Sequence, residues 1–182
     1  ENGQNATNIV HKFINLSTLD SKLVEDKLLF YLNKIISPDT YFTDIVVQQV
    51  TIGNDLYWEI YLEEENKGRI PLSKSGSGLK TIILVLIEFL LIPILKKKEP
   101  SQLIFALEEL ENNIHPALQK NLFSFIDEWT KENNTTVFMT THSHIPINMY
   151  SGSNEAQIIH IRNKDGKVLP KRTLNFLDNA EI

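Results

Sequence analysis

The sequence predicts an α/β fold with a parallel sheet, on three observations. From Leu79 onward the apolar patterning runs helix, strand, helix, strand, and crossovers of that kind lay consecutive strands parallel. Leu103–Leu107 is a short unbroken apolar run, the pattern of a strand buried on both faces between helical layers. That run leads straight into Glu108, Glu109 and Glu111. Carboxylates at such a strand end are costly unless a cation or positioned donors meet them, and ligands of open α/β sheets sit beyond the carboxyl ends of the strands. The stretch LIFALEELENNIHP, Leu103–Pro116, therefore reads as an acidic cation site, with Mg²⁺ and phosphate as the expected ligands.

The whole chain sets wide bounds. Its 182 residues, 42% hydrophobic and 23% charged, suit one well-cored domain or part of a larger one. A net charge of −5 does not advertise a nucleic-acid surface, and Lys96-Lys97-Lys98 is the single basic run. The absence of cysteine excludes a disulfide framework and a thiolate metal site and fits a cytoplasmic setting. The most apolar stretch, Ile82–Leu95, is interrupted by Glu88 and Pro93 and falls short of the about 20 apolar residues of a membrane span. It reads as a buried core helix, with no membrane partner expected. The chain begins at Glu1 without a secretory leader, as a processed chain or an interior piece of a longer protein would.

Taken in order, Ile9, Phe13, Leu16 and Leu19 are spaced along one helical face. A second helix is expected over 21–36, striped by Leu23, Val24, Leu28 and Leu32 and ended by Ser37-Pro38-Asp39. Ile45–Ile52 and Leu56–Leu62 read as two strands of a hairpin turning at Gly53-Asn54-Asp55, and Gly68–Leu72 as a third short strand. Leu72–Lys80, LSKSGSGLK, is a donor-rich turn ahead of a long apolar helix, about 79–95. Its backbone N–H groups and the helix dipole favour an anion, and a plain N-cap loop explains the same residues. Pro116 fits the first turn of a helix over 116–131. Thr135–Met139 is a further apolar strand, followed by Thr140-Thr141-His142-Ser143-His144. Gln157–Arg162 and Lys167–Arg172 flank Asp165-Gly166, a hairpin signal.

Three of these stretches together resemble an ABC-type ATPase cassette, and within that class the OLD (overcoming lysogenization defect) family. FALEELENNIHP resembles the family's Walker B strand and D-loop. SKSGSGLK ahead of a helix resembles its divergent signature motif, and TTHS its H-loop. Their order and spacing also fit. The resemblance covers Gly68–Ser143 well and is weaker over Glu1–Lys67. It implies two parts: a helical and β-hairpin insert at 1–67, and a C-terminal ATPase lobe of P-loop type at 68–182. Glu108 takes the position serving Mg²⁺, and Glu109 that of the carboxylate polarising the attacking water. His142 would contact the γ-phosphate. Ser77 and Gly78 would meet the γ-phosphate held by another subunit, with Ser75 and Gly76 shaping the turn, and Asn112, Asn113 and His115 would form the D-loop. Adjacent side chains on a regular strand face opposite ways, so the chain must turn at its end for Glu108 and Glu109 to serve one site.

The implied cofactors are ATP and Mg²⁺. The implied partners are a second copy in a head-to-tail dimer or higher oligomer, a P-loop lobe of the same protein, and a Toprim nuclease or other effector acting on DNA, in anti-phage defence. There are departures. Leu110 stands where the family has Pro, and Lys80 where the signature often has Gln. No G-x-x-x-x-G-K-[ST] occurs, so the backbone nest and lysine for the β-phosphate are missing. The chain thus reads as the C-terminal part of a cassette, inactive alone. Two other readings stay open: a metal-dependent hydrolase using Glu108, Glu109, His142 and His144, and a non-catalytic dimerisation module.

Overall fold

The computed structural model describes residues 5–112, 114–164 and 167–173. Helix α1 (Ala6–Asn15) buries Val10 and Phe13, four and seven residues along its inner stripe after Ala6. It stops earlier than its spacing suggested: Leu16 is already the extended C-cap, and Leu19 lies beyond the helix. The second helical segment opens with π-type turns (Leu23–Leu28) and continues as α2 (Leu29–Ile36). Nothing in the local sequence explains the wider opening turns.

Strands β1 (Phe42–Ile52), β2 (Asp55–Glu64) and β3 (Gly68–Pro71) form an antiparallel sheet in that order. Ile52 pairs with Asp55, which leaves a two-residue turn in which Gly53 sits at φ +65. Left-handed backbone is the conformation such tight hairpins need and glycine supplies it freely. Ile45 opposite Leu62 and the neighbouring Ile60 are buried, whereas Leu56, Tyr57 and Trp58 near the tip are exposed. The hairpin therefore packs at its base and projects at its end.

Helix α3 (Ser77–Leu90) is buried along most of its length. The long helix expected over 79–95 begins earlier and breaks at Leu91, resuming as α4 (Ile92–Leu95). Pro93 is the reason: it has no N–H to give the carbonyl four residues back. Strand β4 (Ile104–Glu108) and strand β5 (Thr136–Thr140) then pair in parallel, joined by helix α5 (Pro116–Glu132). This is the expected crossover unit. Phe105 of β4 stacks on Phe89 of α3 at 4.6 Å and meets Trp129 of α5 edge-on at 5.5 Å, so both helices cover one face of the sheet.

The other face corrects the expectation of a strand buried on both sides. Ile104 is 70% exposed and Phe138 61% exposed. Alternate residues of a strand face opposite ways, so Ile104 and Phe138 stand on the side away from Phe105. An apolar run reads the same whether its cover belongs to the described part or to something else.

By packing, the chain forms two units, one up to Thr140 and one from Thr141. The helical and hairpin segments share the first with β4: α2 lies against α5, where Asn121 Nδ2 donates to the Ile35 carbonyl at 2.9 Å. The second unit holds α6 (His144–Tyr150) and an antiparallel pair, β6 (Ile158–Lys164) with β7 (Lys167–Thr173). The expected Asp165-Gly166 turn lies outside the described residues. Among the described residues no helix is long and apolar enough to cross a membrane.

Candidate functional site at the end of strand β4

Strand β4 delivers its carboxylates beside the end of β5. Glu108 pairs with Thr140 in the ladder, and the Glu109 N–H donates to the Thr140 carbonyl at 3.0 Å. Glu109 has φ +42, left-handed backbone. The chain thus turns sharply after Glu108. A non-glycine residue there carries a strain of about 1–2 kcal/mol. The turn is fastened twice from ahead, by the Asn112 N–H donating to the Glu109 carbonyl at 3.0 Å and by Asn112 Nδ2 donating to Glu109 Oε2 at 2.9 Å. Both Glu108 and Glu109 are exposed.

The loop beyond is anchored from below. Leu110 and Ile114 are buried, 9% and 5% exposed. Gln119, on the first turns of α5, is itself only 8% exposed and donates from Nε2 to the Ile114 carbonyl at 2.8 Å and the Glu111 carbonyl at 3.3 Å. Gln119 was not singled out from the sequence, though a signal existed: it falls on the apolar stripe of α5 that continues through Leu122, Phe123 and Ile126. A polar residue on such a stripe needs a polar partner. His115 is the N-cap of α5, its Nδ1 accepting from the Ala117 N–H at 3.4 Å, and Pro116 stands at the first helical position. Asn113 lies outside the described residues.

Replacing Gln119 by Leu keeps the volume and removes the donor, leaving two carbonyls of the loop without it. The expected loss is about 1–3 kcal/mol, read by urea unfolding, with faster proteolytic cleavage between Glu109 and His115. A loss below about 0.5 kcal/mol would show that the amide does not fasten the loop.

The serine-rich turn is built separately. After β3, a 3-10 turn (Leu72–Lys74) leads to Ser75, and Gly76 is the extended N-cap of α3. Ser75 Oγ donates to the Pro71 carbonyl at 3.2 Å, and Ser77 gives its carbonyl to the Thr81 hydroxyl at 3.1 Å. Two residues brace it, Glu59, which the sequence did not single out, and Lys80, which stands out there only as a departure from the signature: Glu59 of β2 accepts the Ser73 N–H at 3.1 Å, and Lys80 Nζ donates to the Ser73 carbonyl at 2.7 Å. Gly76 and Ser77 are exposed, and a Cβ added at Gly76 would meet nothing within 4 Å. The fold of this chain alone therefore does not require glycine at 76. Gly78 lies in the first turn of α3.

In the second unit, Thr141 Oγ1 accepts the Ser143 N–H at 3.0 Å and Ser143 Oγ accepts the Ile145 N–H at 3.2 Å, capping α6. His142 and His144 are exposed. His142 follows Thr140 by two residues in the chain. Among the described residues no group of three or more His, Asp or Glu side chains gathers as a metal cage. The carboxylates of Glu108 and Glu109 are hard oxygen donors of the kind that Mg²⁺ takes, one or two at a time, completing its shell with water and phosphate oxygens.

These elements define the class. The chain has the α/β fold of ATPase head domains of the ABC type. It superimposes on the SMC head bound to the C-winged helix domain of ScpA with a TM-score of 0.60 at 14% identity, covering 97% of this chain and 52% of that one. For an SMC head with an extended coiled coil bound to the C-terminal domain of ScpA, from Pyrococcus furiosus, the TM-score is 0.57 at 16% identity, over 83% and 35% of the two chains. A structure from work on ATP-driven dimerization and DNA-stimulated activation of SMC ATPases matches with a TM-score of 0.53 at 15% identity, over 81% and 84%. The chain thus spans about half or less of the two ScpA-bound heads. Comparison with curated proteins gives no match. The family profile of the AAA ATPase domain matches residues 8–147, and the chain belongs to that family.

Proposed function

We propose that this chain is the C-terminal lobe of an OLD-like ABC-type ATPase, completed by a P-loop lobe that its own sequence lacks. The observation that carries the reading is the left-handed turn at Glu109, directly after Glu108, with both residues exposed at a strand end. The family assignment supports it.

In this reading residues 1–67 are the helical and hairpin insert and 68–182 the ATPase lobe. Glu108 holds Mg²⁺, which when bound offsets phosphate charge. Glu109 orients the attacking water and takes its proton. His142 donates to the γ-phosphate. Ser75, Gly76, Ser77 and Gly78 present backbone and hydroxyl donors to the γ-phosphate of ATP held by a second copy, and Asn113 and His115 belong to the loop lying across that head-to-tail interface. The open space around Gly76 supports close approach of another molecule there. Hydrolysis or nucleotide sensing then regulates a nuclease or other effector in the cytoplasm, in anti-phage defence.

The chain by itself is expected to show no ATP turnover above background, because its sequence carries no P-loop to cradle the β-phosphate. Phosphate release by the purified chain, with and without an added P-loop lobe from the same reading frame, checks this. Robust turnover by the chain alone that disappears in Glu109→Gln would overturn the two-lobe reading.

A further inference from the structure

We propose that a cavity at the C-terminal end of α3 binds a partner peptide in which an apolar side chain is flanked by carboxylates. The cavity, of about 340 Å³, is lined by the buried Phe89, Leu90, Pro93 and Trp129 and by the exposed Lys27, Lys97 and Lys98, with Glu99 as its lone acidic residue. It stands at the far end of α3 from the Gly76–Ser77 turn, about 20 Å away along a helix of 14 residues. It is therefore separate from the candidate nucleotide site, and the inference does not depend on that site.

Charge complementarity decides the occupant. The chain carries a net charge of −5, yet three lysines gather at this one opening against a single glutamate. All three are exposed, and among the described residues none forms a salt bridge. A lining of buried apolar residues and exposed lysines fits a ligand with an apolar body and negative flanks.

The backbone supplies a second, independent observation. Helix α4 ends in a paired closing motif: the Lys98 N–H donates to the Pro93 carbonyl and the Lys97 N–H to the Ile94 carbonyl, each at 3.0 Å. Lys97 is the residue in left-handed backbone, at φ +53. Glycine is the residue that this position favours. A lysine there works against the local fold while its charge points to no partner in the described chain, as expected where a side chain is kept for a ligand.

The test uses Trp129 as its own reporter. The chain has two tryptophans, so Trp58→Phe leaves Trp129 as the single emitter. The probe is the peptide acetyl-Asp-Glu-Phe-Leu-Asp-Glu-amide, with a control in which lysine replaces every acidic residue. A saturable change in Trp129 emission with the acidic peptide alone is expected. The variant Lys97→Gly, Lys98→Gln should weaken binding about tenfold, while Lys97→Gly raises the urea midpoint because it relieves the backbone. Lys67→Gln, on the distant β2–β3 turn, should change nothing. No emission change, equal binding of the lysine peptide, competition by inorganic phosphate at the peptide's own concentration, or full binding by the double variant would each overturn the proposal. Because Lys97→Gly favours the folded backbone, loss of binding in it cannot be ascribed to unfolding.

Discussion

In an ATPase completed by its P-loop lobe, Glu109→Gln is expected to cut ATP turnover about 10²–10⁴-fold while nucleotide binding persists. The size follows from removing a proton acceptor without disturbing its setting. Glutamine has the shape of glutamate and keeps a carbonyl oxygen for Asn112 Nδ2, which now donates to Glu109 Oε2 at 2.9 Å. The backbone turn at φ +42 is shared by both residues, so stability should move by less than about 0.5 kcal/mol. Glu109→Gly is the informative companion: it relaxes the left-handed strain and loses the Asn112 bond, two changes of about 1 kcal/mol and opposite sign. It should fold as well as the parent and be equally inactive. Single-turnover phosphate release and a nucleotide-binding titration separate the two quantities. Turnover within threefold of the parent in Glu109→Gln would remove Glu109 from the chemistry.

The largest loss of stability is expected at Phe89. Its ring stacks on Phe105 at 4.6 Å and meets Trp129 at 4.7 Å and Phe125 at 6.0 Å, and the residue is 1% exposed. It is the point where α3, α5 and β4 share one core. Phe89→Ala removes the ring and leaves a cavity, at a cost of about 3–5 kcal/mol. Domains of this size are stable by about 5–15 kcal/mol, so the variant should be marginal at 37 °C. Urea unfolding followed by far-ultraviolet circular dichroism measures it, with Phe89→Leu as a milder control. A loss under about 1.5 kcal/mol would mean that the aromatic cluster does not hold the sheet to its helices.

The elements most legible in the sequence were those whose signals are local. The β-branched run and Gly53 marked the hairpin, Pro116 marked the start of α5, and the apolar runs marked both parallel strands. A turn after Glu108 is expected from the sequence if both glutamates serve one site, and the backbone is left-handed at Glu109. What was not legible depends on the surroundings of a residue. The amide of Gln119 finds its carbonyls only once the loop folds over α5. The bracing of Ser73 by Glu59 joins residues 14 apart in the chain through a sheet. The exposed side of β4 and β5, at Ile104 and Phe138, carries the apolar pattern of a covered one, because hydrophobicity records what a face is suited to and not what lies on it.

That exposed side gives the two glutamates a second consequence. Ile104–Leu107 is an uncharged run on an open parallel pair, the sort of segment that recruits like strands into aggregates. Glu108-Glu109 follow it directly and Lys96–Glu99 stands before it with four residues between, so charged gatekeepers close its far end and stand near its start. Neutralising both carboxylates therefore alters colloidal behaviour as well as chemistry. Variants of that kind have to be compared in dilute solution, with their sedimentation checked alongside their kinetics.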